Sequence, residues 1–257
     1  MDLKVFINDI NIYALVFCRV GGMLLFNPLI QRKNIPGQFK LALVLGITVL
    51  LAPGIGGAAD SAFPSGLLLL FAMIKELALG AVCGYVFQVF YLLLSTAGDL
   101  IDMGFGLSMA KAFDPGTNMQ LSITGNLFQL LFAVYFFATD SHLVFIKLIA
   151  SSYDIVGPGS IAFGPDIARF GMTLFVSAFS LVLHLALPFA AASFVLEIAM
   201  GILMKLIPQI NVFSIHFQVK ILLGVVLLFV FAVPITSFLQ QYIDTMLAET
   251  ANLLKLL

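Results

Sequence analysis

Apolar positions dominate this chain, and they come in long blocks separated by short polar interruptions. A helix that crosses a bilayer takes ~20 mainly apolar residues, and six blocks fit that description. The first is Ile10–Ile30, interrupted by Arg19, and the second is Leu41–Pro53, extended toward Ala59. The third is Leu77–Ala97 and the fourth is Met119–Thr139, which carries no charge. The fifth, Phe170–Leu196, contains His184 and Pro188, and the sixth, Ile221–Ile243, contains Pro234.

Three stretches fit the scheme poorly. Phe63–Ile74 is apolar but too short to span alone. Joined to the third block it makes the run Gly66–Gly98, ~50 Å as one helix at 1.5 Å per residue, against a hydrocarbon core of ~30 Å. Lys75-Glu76 divides that run. Phe63–Ile74 is therefore a re-entrant or interfacial piece, or one half of a long helix that leaves the membrane. Ser141–Tyr153 is apolar with one lysine, Lys147, and Ile198–Val219 carries Lys205, Pro208, Gln209, Asn211 and His216. Such breaks persist at membrane depth only where protein or water covers the backbone. The fold class expected is all-α: a polytopic membrane protein of about six to eight helical segments, some broken or re-entrant.

Composition agrees. Of the 257 residues 61% are apolar and only 10% are charged, against ~25% charged in a soluble domain. A surface so poor in charge faces lipid or other apolar protein. The net charge of -1 argues against a nucleic-acid partner and against a polybasic surface helix. Loop charges give a blurred orientation. With the N-terminus outside, inner loops hold Arg32, Lys33, Lys40, Lys111, Lys205 and Lys220, and outer ones Lys4, Lys147, Arg169 and Lys255. A protein that is not a simple bundle in lipid gives such a pattern. Met1-Asp2-Leu3-Lys4 leads into an apolar run broken by Arg19 with no small-residue cleavage site, so the first block is expected to remain in the mature protein. Pro28 precedes Lys40-Leu41-Ala42-Leu43 as Pro208 precedes Lys220-Ile221-Leu222-Leu223. Two related halves and chance between two proline-broken hairpins both account for that faint match.

Candidate chemistry is sparse. The HExxH, GxSxG and P-loop patterns are missing from the sequence. Cys18 and Cys83 form no CxxC and read as packing residues. Asp140-Ser141-His142 has triad residue types, but adjacent residues do not converge as a triad requires, and it reads as a polar helix end. His142, His184 and His216 lack ligand spacing. The charges inside apolar runs say more: Arg19, Lys75, Glu76 and Glu197. An arginine at mid-span costs ~2.5–3.5 kcal/mol on insertion scales, so Arg19 should face protein or water. It either snorkels or pairs with a carboxylate on a neighbouring helix. The most unusual segment is Gly98–Gly116, GDLIDMGFGLSMAKAFDPG. Gly98, Gly104, Gly106 and Gly116 permit backbone shapes that other residues resist. If helical, the stretch sets Phe105, Met109, Ala112 and Phe113 near one face, and Met with Phe makes a soft apolar surface. Asp99, Asp102 and Asp114 add polar anchors. Read from the residues alone, this is a movable apolar constriction or an ordinary amphipathic connector.

An ordered set of motifs resembles the FliR family, whose virulence-system relatives are the SctT-type export proteins. It begins with Arg19-Val20-Gly21-Gly22, Pro28, Ile35-Pro36 and Lys40, then Lys75-Glu76-Leu77-Ala78-Leu79-Gly80 and Ala97-Gly98-Asp99-Leu100-Ile101-Asp102. Gly106-Leu107-Ser108-Met109-Ala110 and Asp114-Pro115 follow, then Leu187-Pro188, Pro208-Gln209-Ile210-Asn211-Val212-Phe213 and Lys220-Ile221-Leu222-Leu223-Gly224. The resemblance implies one export-gate domain over residues 1–257, combining a FliP-like with a FliQ-like helical unit. It implies a non-enzymatic subunit without cofactor or metal, present in single copy with several copies of FliP and FliQ. FlhB wraps that assembly, FlhA lies beneath it, and unfolded proteins pass through it across the bacterial inner membrane at the flagellar basal body. It assigns Gly98, Asp99, Asp102, Met103, Gly104, Phe105, Gly106, Met109, Phe113, Asp114 and Pro115 to the plug of the closed pore. Flagellar and injectisome use stay open. A secondary transporter would need a polar midplane site, of which Pro188, Pro234 and His184 are a thin version. An intramembrane enzyme would need convergent groups.

Overall fold

A computed structural model describes residues 3–32, 34–56, 66–108, 122–161, 164, 166–207 and 212–256. Among them are eight helices and no strand: α1 (Leu3–Leu25), α2 (Gly37–Gly56), α3 (Leu67–Phe105), α4 (Ile123–Ala138), α5 (Ser141–Ile155), α6 (Asp166–Leu206), α7 (Val212–Val230) and α8 (Ala232–Lys255). Three of them, α2, α3 and α6, are long and apolar enough to cross a membrane singly. Two further pairs, α4 with α5 and α7 with α8, qualify only as bent spans, giving up to five crossings. The protein is an all-α, multi-pass membrane protein.

The largest departure from the sequence reading is α3. Lys75-Glu76 does not divide the apolar run: one helix of 39 residues passes through it, about 58 Å long at 1.5 Å per residue. A charged pair interrupts hydropathy but not helical hydrogen bonding, because Lys and Glu are both good helix formers. The segment from Leu67 is thus the first part of a long helix. The same helix runs on past Ala97 to Phe105. Helix α6 is similar, with 41 residues and Pro188 inside it. The sixth block, by contrast, is two helices. Pro234 has no N–H to give Val230, and the chain bends by 63° at the break between α7 and α8. Ile235 N–H picks up the ladder again by donating to the Phe231 carbonyl at 2.9 Å. Asp140, ahead of α5, is left-handed (φ 57°), a costly conformation for a residue with a Cβ, and its side chain does not cap the helix.

The chain forms two compact units that interleave along the sequence. The first comprises Met1–Val89, Asp140–Leu174 and Thr245–Leu257; the second comprises Phe90–Thr139 and Phe175–Asp244. Buried in the first are Leu15, Val16, Val20 and Met23 of α1, Leu79, Cys83 and Phe87 of α3, and Phe145 and Ile149 of α5. The Phe87 and Phe145 rings lie 4.6 Å apart. Helices α1 and α3 cross at glycines: a Cβ on Gly22 would fall 2.6–2.8 Å from the backbone of Leu77, Gly80 and Ala81. That close approach gives dispersion contact between helices in lipid, where the hydrophobic effect does not drive them together. In the second unit Tyr242 donates its hydroxyl to the Phe90 carbonyl at 2.9 Å. The Phe189 and Phe231 rings meet at 5.3 Å.

Candidate functional site

Two polar centres stand out inside this apolar protein, one in each unit. The first is built on Arg19, which is fully buried. Its Nε and Nη2 donate to the two oxygens of Glu76, the latter at 3.1 Å, in a fork-to-fork pair. Nη1 donates to the Ser152 carbonyl at 2.9 Å, near the C-terminal end of α5, where the helix dipole favours a cation. The guanidinium carbon lies 4.1 Å from the centre of the Tyr153 ring. Tyr153 itself donates to the Val16 carbonyl at 3.3 Å. Glu76 is equally buried, and one of its oxygens also accepts the Gly159 N–H at 2.7 Å. Gly159 has φ +79°, so this turn presents its amide inward in a shape that suits glycine. Arg19 and Glu76 thus gather α1, α3, the end of α5 and the turn before α6 around one neutralised pair. Lys75, one residue along and pointing elsewhere, reaches the Ile161 carbonyl at 3.4 Å.

The second centre lies at the root of the Gly98–Pro115 segment. Gly98, Asp99, Asp102, Met103, Gly104 and Phe105 all belong to α3, not to a loop, so the connection begins about two turns later than the sequence suggests. Met109, Lys111, Phe113, Asp114 and Pro115 lie outside the described residues. Gly98 abuts the backbone of Thr124 and Gly125 so closely that no Cβ fits there. Asp102, 1% exposed, accepts hydrogen bonds from the Thr124 N–H (3.3 Å to the nearer oxygen) and from the Thr124 hydroxyl. Ser122 caps α4 by accepting the Gly125 N–H at 2.7 Å. Phe105 is fully buried, and Gly224 of α7 makes room for its ring: a Cβ there would come within 2.7 Å of it. Met103 is exposed, and Gly106 turns the chain out of α3 at φ +74°.

Glu197 is half-exposed and accepts from Lys220 at 2.7 Å, joining α6 to α7. His184 uses Nδ1 on the Ser180 carbonyl of its own helix at 2.7 Å. Among the described residues no three of His, Cys, Asp and Glu cluster as metal ligands would. Sequence reasoning missed Ser152, Tyr153 and Gly159 around Arg19, and Ser122 and Thr124 around Asp102. Ser122 before an apolar run is a helix N-cap signal. The others carry no local signal, since their partners are distant in the chain.

Known proteins resemble the chain along nearly its whole length. The family described as Bacterial export proteins, family 1, matches residues 10–246. The flagellar biosynthetic protein FliR of Caulobacter vibrioides is 30% identical over 221 residues, which are 86% of this chain and 88% of that protein. FliR of Escherichia coli K12 is 24% identical over 249 residues, 95% and 92% of the two chains. The surface presentation of antigens protein SpaR of Shigella flexneri is 23% identical over 236 residues, 90% of each. The family match contains both polar centres, Arg19 with Glu76 and Asp102 with Thr124, and the chain belongs to the bacterial export proteins of family 1, the FliR/SctT family.

Proposed function

We propose that this chain is a non-enzymatic core subunit of a type III protein-export gate in the bacterial inner membrane. It forms the protein-conducting channel with FliP and FliQ, in single copy, beside FlhB and FlhA, and unfolded substrates pass through. The observation that carries this reading is the family match across residues 10–246. Flagellar export at the basal body is the preferred use, supported by the flagellar names of the relatives from Caulobacter and Escherichia. The similarity to SpaR supports a second use, in an injectisome.

Within that gate, Gly98–Pro115 supplies the plug. A resting channel must hold back ions and later pass chains of any sequence. Apolar side chains do the first by dewetting, and flexible Met and Phe do the second by repacking. The helical part, Gly98–Phe105, is the fixed root, and the residues beyond it carry the closure. Co-expression with FliP and FliQ should yield one detergent-stable particle, and deleting 109–113, beyond the helical root, should make cells leak ions while that particle still forms. A monodisperse chain that is stable without partners would refute the gate assignment. A deletion that assembles and stays tight would refute the plug.

A further inference from the structure

We propose that Asp102 is the positioning residue of the closed channel: with Thr124 it staples together the two roots of the plug segment. This rests on the reading of Gly98–Pro115 as the plug. Asp102 is held twice. Its carboxylate accepts from the Thr124 N–H and hydroxyl at the first turn of α4, and its backbone carbonyl accepts the Ser108 N–H at 3.3 Å. The chain that leaves α3 and the chain that enters α4 are therefore fastened to the same residue.

The fastening is separate from the packing beside it. Gly98 lies one helical turn before Asp102 on the same face, and there α3 and α4 meet backbone to backbone at Gly125. Ser122 satisfies the Gly125 N–H on its own. Helix contact and helix capping thus have their own groups, and the Asp102–Thr124 bonds add only the tie between the roots. The tie is strong for its size. The acceptor is a carboxylate, it meets the positive end of the α4 dipole, and both residues are 1% exposed, so water does not compete. Cutting it loosens the mouth of the segment at Asp102 and Thr124, while the Gly98–Gly125 contact keeps the two helices docked.

The test uses cells expressing the full gate and the particle purified from them. Thr124→Val removes the hydroxyl at nearly constant volume, Thr124→Ser keeps it, and Asp102→Ala removes the acceptor. Two quantities are read: ion leakage across the inner membrane, and hydrogen exchange of the Thr124 amide. Asp102→Ala and Thr124→Val should leak. In Asp102→Ala the Thr124 amide should exchange roughly ten- to a hundredfold faster, as loss of a charge-assisted hydrogen bond implies. Thr124→Ser should match the parent in both. If Asp102→Ala does not assemble, Thr124→Val decides. Variants that assemble and stay tight while the 109–113 deletion leaks overturn the staple and leave the plug standing. If the deletion itself is tight, the plug reading falls and the staple's role falls with it.

Discussion

Replacing Arg19 with methionine would leave the Glu76 carboxylate buried with one hydrogen bond, the 2.7 Å contact from Gly159 N–H. Both guanidinium donors would be gone, and the Ser152 carbonyl would lose its 2.9 Å partner. Removing one member of a buried ion pair costs ~3–5 kcal/mol, nearly all of it the penalty of the charge left behind. That is between about a fifth and the whole of the ~5–15 kcal/mol that holds a typical domain folded. The loss of the cation over the Tyr153 ring adds ~0.5–2 kcal/mol. The penalty belongs to the orphaned charge, so removing the second charge should relieve it. Arg19→Met with Glu76→Leu should recover most of the loss, because well-packed apolar replacements of buried pairs are often neutral. Reversible unfolding of the detergent-purified complex, for the parent, the two single variants and the double variant, measures all the terms. A single Arg19→Met cost below about 1 kcal/mol, or a double variant no better than the worse single one, would refute the argument.

Two other substitutions address features of the backbone. Gly98→Val should separate α3 from α4, since its Cβ would overlap the backbone of Gly125, at a cost of ~1–3 kcal/mol or more; normal thermal stability and normal assembly would rule this out. Asp140→Gly should stabilise the protein by up to ~1–2 kcal/mol by relieving the left-handed strain at φ 57°, read as a higher unfolding midpoint of the purified complex.

Much of the fold was legible because the signal that builds it is long and one-dimensional. An unbroken apolar stretch such as Leu77–Ala97 becomes a helix whatever it packs against. The errors fall where the meaning of a residue depends on a distant partner. Lys75-Glu76 looked like a boundary because charge in an apolar run usually marks water. Glu76 instead faces Arg19, 57 residues earlier in the chain. Gly98 and Gly104 looked like the start of a loop because glycine permits loop shapes. Both sit inside α3, where Gly98 serves close approach to another helix. For the candidate site, the sequence marked Arg19 as a charge in need of a partner and Asp102 as a polar anchor of the plug segment. It did not mark Thr124, Ser152 or Gly159, whose side chains or amides are unremarkable until the fold brings them near.

The distance along the chain between Arg19 and its partners also has a meaning in time. Glu76 follows it by 57 residues and Ser152 by 133. At a synthesis rate of ~5–20 residues per second, Glu76 emerges roughly 3–11 s after Arg19, and Ser152 about 7–27 s after it. Throughout that interval α1 carries a cation whose burial in lipid is unfavourable by ~2.5–3.5 kcal/mol. Helix α1 thus completes the contacts of Arg19 only when the middle of the chain arrives. A nascent protein cut short before Glu76 lacks the carboxylate that neutralises Arg19 in the full chain.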